Sequence, residues 1–257
     1  IQPSACETAR VRAIFIAPTE AQKPFIGECF AVLRKKLAPG GGMWYCRGNR
    51  RVPGECNDMG GIWMKVLMLN GSPRVGGNTA LALGEMEQVF RREGVDCEIV
   101  QVGQMDIRGC IACGKCGETG KCVFDDIVNQ LAPKFQEAAG LVVASPVYYA
   151  SANPTLVALL NRLFYSTHFD KTMKVGASVV CARRGGCSAT FDELNKFFTI
   201  SGMPVASSVY WNSIHGRLKG EAQEDAEGRY VMRTLARNMS FLMMSIALGK
   251  EAYGYPE

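Results

Sequence analysis

The sequence is short of the groups that usually carry acid–base and nucleophilic catalysis. Its 257 residues include two histidines, His168 and His215. Neither lies near an obvious nucleophile, so no Ser/His/Asp or Cys/His arrangement is visible; both read as structural or exposed. There is no apolar run long enough to cross a bilayer, and the start does not read as a signal peptide, so the expectation is a soluble, cytoplasmic protein with no membrane partner. Charge of one sign is also scarce. The formal net charge is +5, but residues 1–63 hold nine Lys/Arg against five Asp/Glu, and the remainder holds 20 against 19. The main body therefore has no electrostatic footprint for nucleic acid, and Arg34-Lys35-Lys36 reads as a solvated face. Internal repeats and low-complexity tracts are absent too.

What is present is apolar mass and sulfur. At 47% hydrophobic residues, the chain can bury one large core or two small ones. Eleven cysteines in a cytosolic-looking chain point to metal or redox use before disulfides. Residues 1–63 differ from the rest: Pro and Gly punctuate them, and Cys6, Cys29, Cys46 and Cys56 show no ligand spacing. A short helix over 29–37 is the one element expected there. Met64, followed at once by a strand pattern, looks like a chain start. The expectation is a poorly ordered or non-native extension over 1–63 and one domain over 64–257.

From Lys65 onward strand and helix patterns alternate. The apolar runs Val66–Leu69, Glu98–Val102, Leu141–Ser145, Val175–Cys181 and Val205–Tyr210 predict five strands. Helices are expected at 79–93, 126–138, 154–165, 190–199 and 225–248, with Pro133 as a candidate kink. The last helix carries Met232, Leu235, Met239, Leu242, Met243 and Ile246 on one stripe, a core face or a dimer contact. Alternation with strands this apolar predicts an α/β domain, a doubly wound five-stranded parallel sheet with helices on both faces. Its ligand belongs beyond the carboxyl ends of the strands.

Three loops leave such ends. Asn70-Gly71-Ser72-Pro73-Arg74-Val75-Gly76-Gly77-Asn78-Thr79 joins a strand to a helix, which aims backbone N–H groups and the positive end of the helix dipole at one spot. Ser72 and Thr79 offer hydroxyls, Asn78 can cap the helix and Arg74 adds charge. The loop lacks the Lys-Ser/Thr ending of a triphosphate loop and the Gly-x-Gly-x-x-Gly of a dinucleotide site, so a monophosphate is the better match. The second loop, Ser145-Pro146-Val147-Tyr148-Tyr149-Ala150-Ser151-Ala152-Asn153-Pro154, is stiffened by two prolines and carries two aromatic faces suited to a planar heterocycle. The third, Ala182-Arg183-Arg184-Gly185-Gly186-Cys187-Ser188, brings backbone donors and positive charge. Trp211–Arg217 either lines the same mouth or packs in the core.

These motifs resemble the NADPH-dependent FMN reductase family of flavodoxin-like proteins over about residues 64–248. The resemblance implies FMN, with its phosphate at Ser72, Arg74, Asn78 and Thr79. It implies the isoalloxazine ring against Pro146, Val147, Tyr148 and Tyr149, with Gly185 and Gly186 near the pyrimidine side. It also implies a homodimer or homotetramer that completes the flavin site.

The other strong signal is Cys110-Ile111-Ala112-Cys113-Gly114-Lys115-Cys116, then Cys122. Thiolates at this spacing can wrap one iron–sulfur cubane, and Gly114, Gly117 and Gly120 permit tight turns and N–H···S bonds. A [4Fe-4S] cluster, a cluster-free thiol loop and zinc all remain open, although a close triplet argues against zinc, which usually takes two separated pairs. The pattern resembles the compact cysteine motif of iron–sulfur flavoproteins, a branch of the same group. It departs from the ferredoxin run in having Val123, not proline, after Cys122.

The expected function is an FMN-dependent oxidoreductase that takes hydride from NAD(P)H and passes electrons to an acceptor. The flavin carries the chemistry, and no side chain need act as acid or base. The alternative is an iron–sulfur flavoprotein carrier that exchanges electrons with ferredoxin-like partners. A third reading is a flavodoxin-like interaction module without cofactor.

Overall fold

The computed structural model describes residues 64–255, so the expectations for 1–63 lie outside the described residues. Strands and helices run β1 (Lys65–Asn70), α1 (Asn78–Arg92), β2 (Asp96–Gln101), α2 (Lys115–Thr119), α3 (Ile127–Glu137), β3 (Gly140–Pro146), α4 (Pro154–Ser166), β4 (Val175–Ala182), α5 (Cys187–Thr199), β5 (Ser213–His215) and α6 (Ala226–Tyr253). All strand pairs are parallel, in the order β2-β1-β3-β4-β5. This is the expected doubly wound sheet. The connection reverses direction between β1 and β3, where such sheets open a crevice at their carboxyl edge.

Side chains alternate across the sheet as the strand period of two requires. Val66 and Met68 join one core with α1 and α6; Leu67 and Leu69 join another with α3, α4 and α5. The α6 stripe is core: Met232, Leu235, Met239 and Met243 are buried, with Leu242 and Ile246 at its margin. On the α1–α6 seam, Glu85 accepts from Arg229 Nε and Arg233 Nη1, both at 2.7 Å. Burial opposes ionisation of Glu85, but the bonds from the two guanidinium groups outweigh it and hold the carboxyl below its usual range.

Helix starts follow their caps. Asp126 caps α3 by accepting from Val128 N, Asn153 caps α4 by accepting from Thr155 N, and Asp225 caps α6 by accepting from Gly228 N. Pro154 stands at the first position of α4, where its missing N–H costs nothing. Helix α3 continues through Pro133 to Glu137, and the five-residue α2 inside the cysteine loop has no counterpart in the periodicity.

The fifth strand is displaced from Val205–Tyr210. Val205 makes only an isolated bridge to Gly176, and Ala206 N donates to Gly176 O at 2.8 Å. The next residues bond to α6 and not to β4: Asn238 Nδ2 donates to Ser207 O, and Ser208 Oγ to Val231 O. The chain rejoins the sheet at Ser213–His215, opposite Val180–Ala182. Among the described residues no helix is long and apolar enough to cross a membrane.

Candidate functional site

The three loops named from sequence meet at one rim. Gly71 N donates to Ala144 O at 2.8 Å, which ties the β1–α1 loop to the end of β3. Asn153, buried at the head of α4, donates through Nδ2 to Gly71 O at 2.7 Å. Its own N–H reaches Ser145 Oγ at 2.8 Å. From the other side, Asn70 Oδ1 accepts from Ser72 N, Asn70 Nδ2 donates to Gln101 Oε1, and Gln101 Nε2 donates to Ser72 O. Gly103 lies so close behind this loop that a Cβ there would collide with the backbone of Gly71 and Ser72.

Within the first loop, Ser72 is buried and its Oγ accepts from Arg74 N at 3.2 Å. Arg74 is exposed and donates through Nη1 to Arg217 O at 3.0 Å. Asn78 is the first residue of α1 and not its cap. Its side chain clasps the segment after β5, donating to Leu218 O and accepting from Gly220 N and Ala222 N. The cap of α1 is Gly77, which supplies no side-chain acceptor. The first-turn N–H groups of α1 therefore face outward without the carboxylate or amide cap that α3, α4 and α6 possess. That geometry suits an anion. The clasp also brings Lys219 Nζ to 3.6 Å from the position a Gly76 Cβ would take. Lys219 went unflagged in the sequence because it lies far along the chain.

The second loop ends in a tight turn. Tyr148 and Ser151 exchange backbone bonds of 2.8 and 3.0 Å, and Tyr149 and Ala150 both adopt positive φ, +52° and +60°, the signature of a type I′ turn. Tyr148 is 41% exposed and Tyr149 fully so. The Tyr149 ring is thus free of the packing beneath the next helix that its sequence also allowed, and Tyr148 is partly covered. Glu193 on α5 holds the turn, accepting from Ser151 Oγ at 2.7 Å and Ala152 N at 2.8 Å. Pro146 ends β3 opposite Cys181, and Val147 N donates to Cys181 O. The third loop packs onto the second at Gly186, whose φ is +91°. A Cβ there would lie 2.9 Å from Val147 and 3.0 Å from Ala150, while Gly185 is open. Gly186 is also an α5 cap without a side-chain acceptor. Helices α1 and α5, both capped by glycine, begin at this rim.

Behind the rim, Thr79 is buried against Cys181. Burial pushes the Cys181 thiol up to about 11, with a hydrogen bond to Thr79 offsetting part of the effect. One arrangement escaped the sequence. Cys187 Sγ lies 3.8 Å from His215 Nε2, and His215 Nδ1 lies 3.5 Å from Asp225 Oδ2. Burial raises the Cys187 thiol, so the pair has the position of an activated thiol without the thiolate.

The cysteine loop lies between β2 and α3. Cys110, Cys113, Cys116 and Cys122 line one concavity with Phe124, Arg162, Tyr165 and Ser166. Ala112, Gly114 and Gly120 take left-handed backbone there. No three Cys, His, Asp or Glu groups among the described residues are close enough together to hold a metal ion. The thiols stand around the wall, with Cys110 and Cys113 exposed and Cys116 and Cys122 half-buried. Cys122 is the fixed member: Asn129 accepts from its N–H and donates to its carbonyl, both at 3.0 Å. Arg162 Nε donates to its Sγ at 3.2 Å. Thiol donors, short turns and a charged N–H on one sulfur fit an iron–sulfur cluster by donor chemistry.

With this geometry established, comparison with known proteins decides the family. Residues 64–217 match the family described as NADPH-dependent FMN reductase. The chain belongs to the NADPH-dependent FMN reductase family. It is similar to an iron–sulfur flavoprotein of Methanocaldococcus jannaschii, 31% identical over 185 residues, which is 69% of this chain and 96% of the relative. An iron–sulfur flavoprotein of Methanosarcina thermophila is 32% identical over 181 residues, 68% of this chain and 93% of the relative. Among solved structures, RosB with a bound 8-demethyl-8-formylriboflavin-5'-phosphate intermediate shares the fold, with a TM-score of 0.58 and 18% identity over 75% of this chain and 82% of that one. An FMN-dependent redox function goes with the FMN reductase family.

Proposed function

We propose that this chain is an NAD(P)H-dependent FMN oxidoreductase that also carries a [4Fe-4S] cluster. The observation supporting it is the joining of the three rim loops through Asn153, Glu193 and Gly186. The open N–H groups at the head of α1, with Ser72, Thr79, Arg74 and Lys219, bind the flavin phosphate; Asn78 serves them by clasping the Lys219 segment. Pro146, Val147, Tyr148 and Tyr149 hold the ring plane, and Gly185 and Gly186 leave backbone donors for its polar edge. Bound FMN supplies hydride acceptance from NAD(P)H and onward electron transfer. The protein's own work is to orient the ring, shield its buried face and set its potential with donors and positive charge. Cys110, Cys113, Cys116 and Cys122 hold the cluster, which would accept electrons singly. A homodimer or homotetramer covering the exposed Tyr148–Tyr149 turn completes the site.

A second reading has a specific observation in its favour. The two iron–sulfur flavoproteins are matched over 93–96% of their own length, and all four cysteines share one concavity. In that reading the protein exchanges electrons with a ferredoxin-like partner and does not use nicotinamide. Anaerobic purification followed by an absorbance spectrum and iron and sulfide assays tests both cofactors. Bleaching of the flavin by NADPH or NADH supports the reductase. Bleaching by reduced ferredoxin alone transfers the assignment to the carrier, and a colourless protein that takes up no added FMN defeats both.

A further inference from the structure

One buried cation stands beneath the cysteine concavity. Arg162, on α4, is 1% exposed, and all five of its N–H donors are engaged. Nη1 donates to Asp126 Oδ2 at 2.7 Å and to Arg108 O at 3.1 Å. Nη2 donates to Asp126 Oδ1 at 2.9 Å and to Phe124 O at 3.4 Å. The fifth bond runs from Nε to Cys122 Sγ at 3.2 Å. The Phe124 ring covers the guanidinium, 5.0 Å from its carbon to the ring centroid, with the exposed Arg108 guanidinium 5.2 Å from the same ring.

A buried guanidinium needs an anion and a full set of acceptors. Asp126 supplies the anion through a two-pronged pair, and two carbonyls complete the outer nitrogens. Nothing in that arrangement requires sulfur at Nε, because a neutral thiol is a weak acceptor. A sulfur that carries negative charge is a good one. Of the four cysteines, Cys122 is also the one locked by Asn129 before any ligand arrives.

We propose that Arg162 is a positioning and potential-setting residue for a cluster held by these cysteines, acting through its N–H···S bond to Cys122. The inference rests on the cluster assigned under the proposed function. A cation and a donor at a ligand sulfur favour the more negative, reduced form of a cluster, and Asp126 limits how much of that charge is felt. Arg162 and Asp126 therefore push the one-electron couple in opposite directions.

The test is an anaerobic dithionite titration followed by electron paramagnetic resonance, with iron and sulfide counts, on FMN-loaded wild type, R162Q and D126N. R162Q is expected to make reduction about tenfold less favourable, which for a one-electron couple is 59 mV downward. D126N is expected to shift the couple upward by several-fold in the equilibrium constant. FMN binding stays intact in both and reports folding. If R162Q cannot be purified folded, the upward shift in D126N carries the test, and an unmoved D126N overturns the proposal. Equal potentials in loaded wild type and R162Q reduce Arg162 to a structural pin and overturn it as well. A wild type that takes up no iron defeats the cluster reading itself, so the two failures are distinguishable.

Discussion

The rim proposed to hold the flavin and the cysteine loop that follows β2 are built in different ways. At the rim, buried side chains and backbone bonds hold the loops to each other: Asn153 to Gly71, Gln101 to Ser72, Glu193 to the tyrosine turn. That part of the site is formed before any ligand binds, and its cost falls on folding. The cysteine loop is fixed at one end only. Cys122 is locked by Asn129 and Arg162, whereas Cys110 and Cys113 are exposed on a segment with little regular structure beyond the five residues of α2. A preformed site binds with little ordering cost, while a loop that organises around its ligand spends part of the binding energy on its own ordering.

The sharpest break of this comparison is Cys116→Ser. It is expected to abolish iron uptake while leaving the FMN dissociation constant within about twofold, since no rim bond passes through that loop; parallel iron assays and flavin-fluorescence titrations measure it. Parallel loss of FMN would mean that the two regions are one cooperative unit. Next in size is Gly103→Ala, which presses a methyl into the Gly71–Ser72 backbone. Overpacking of this kind costs about 1–3 kcal/mol, so FMN should bind roughly 5- to 150-fold more weakly, with iron content unchanged.

A stability control lies away from both regions, at Glu85. Its carboxyl is held below the usual range in the folded chain, so its contribution is present above the unfolded value and is lost as pH falls through the folded one. Glu85→Gln is therefore expected to cost about 2 kcal/mol in urea denaturation at pH 7. That difference should shrink towards zero as the pH falls from the ordinary glutamate range through the lowered folded value. FMN and iron binding at neutral pH should not change. The smallest effect is expected from Lys219→Ala. Loss of one partly screened charge near the phosphate is worth about 0.5 kcal/mol, a two- to threefold weaker FMN titration that fades at high salt.

Much of the rim was legible in sequence because its loops follow strands buried on both faces. Runs such as Leu141–Ser145 leave few alternatives. The helix stripes were equally clear, since Leu83, Met86 and Phe90 recur at helical spacing and all are buried. The fifth strand was misplaced because Val205–Tyr210 has the stronger strand composition. After Ala206 the chain turns its polar groups to α6 through Ser207 and Ser208, a tertiary choice invisible in local pattern. The Cys187–His215 approach needed the sheet to bring together residues 28 apart. Arg162 had a local signal that could have been used: it shares a helical face with Leu159, Leu163 and Ser166, all buried. A lone arginine on an apolar stripe must find a buried anion, and the nearby cysteine loop was the place to look.

Helix α4 has a consequence for the distance between the rim and the cysteine concavity. Asn153 at its head belongs to the rim, and Arg162 belongs to the cysteine concavity. Nine residues of helical rise fix a gap of about 13–14 Å. A rod of internal hydrogen bonds cannot stretch as a loop does. Adding or deleting one residue would swing Arg162 by about 100° around the axis, away from Cys122. The helix thus sets spacing and bearing at once, which makes its middle residues a spacer between the rim and the cysteine concavity.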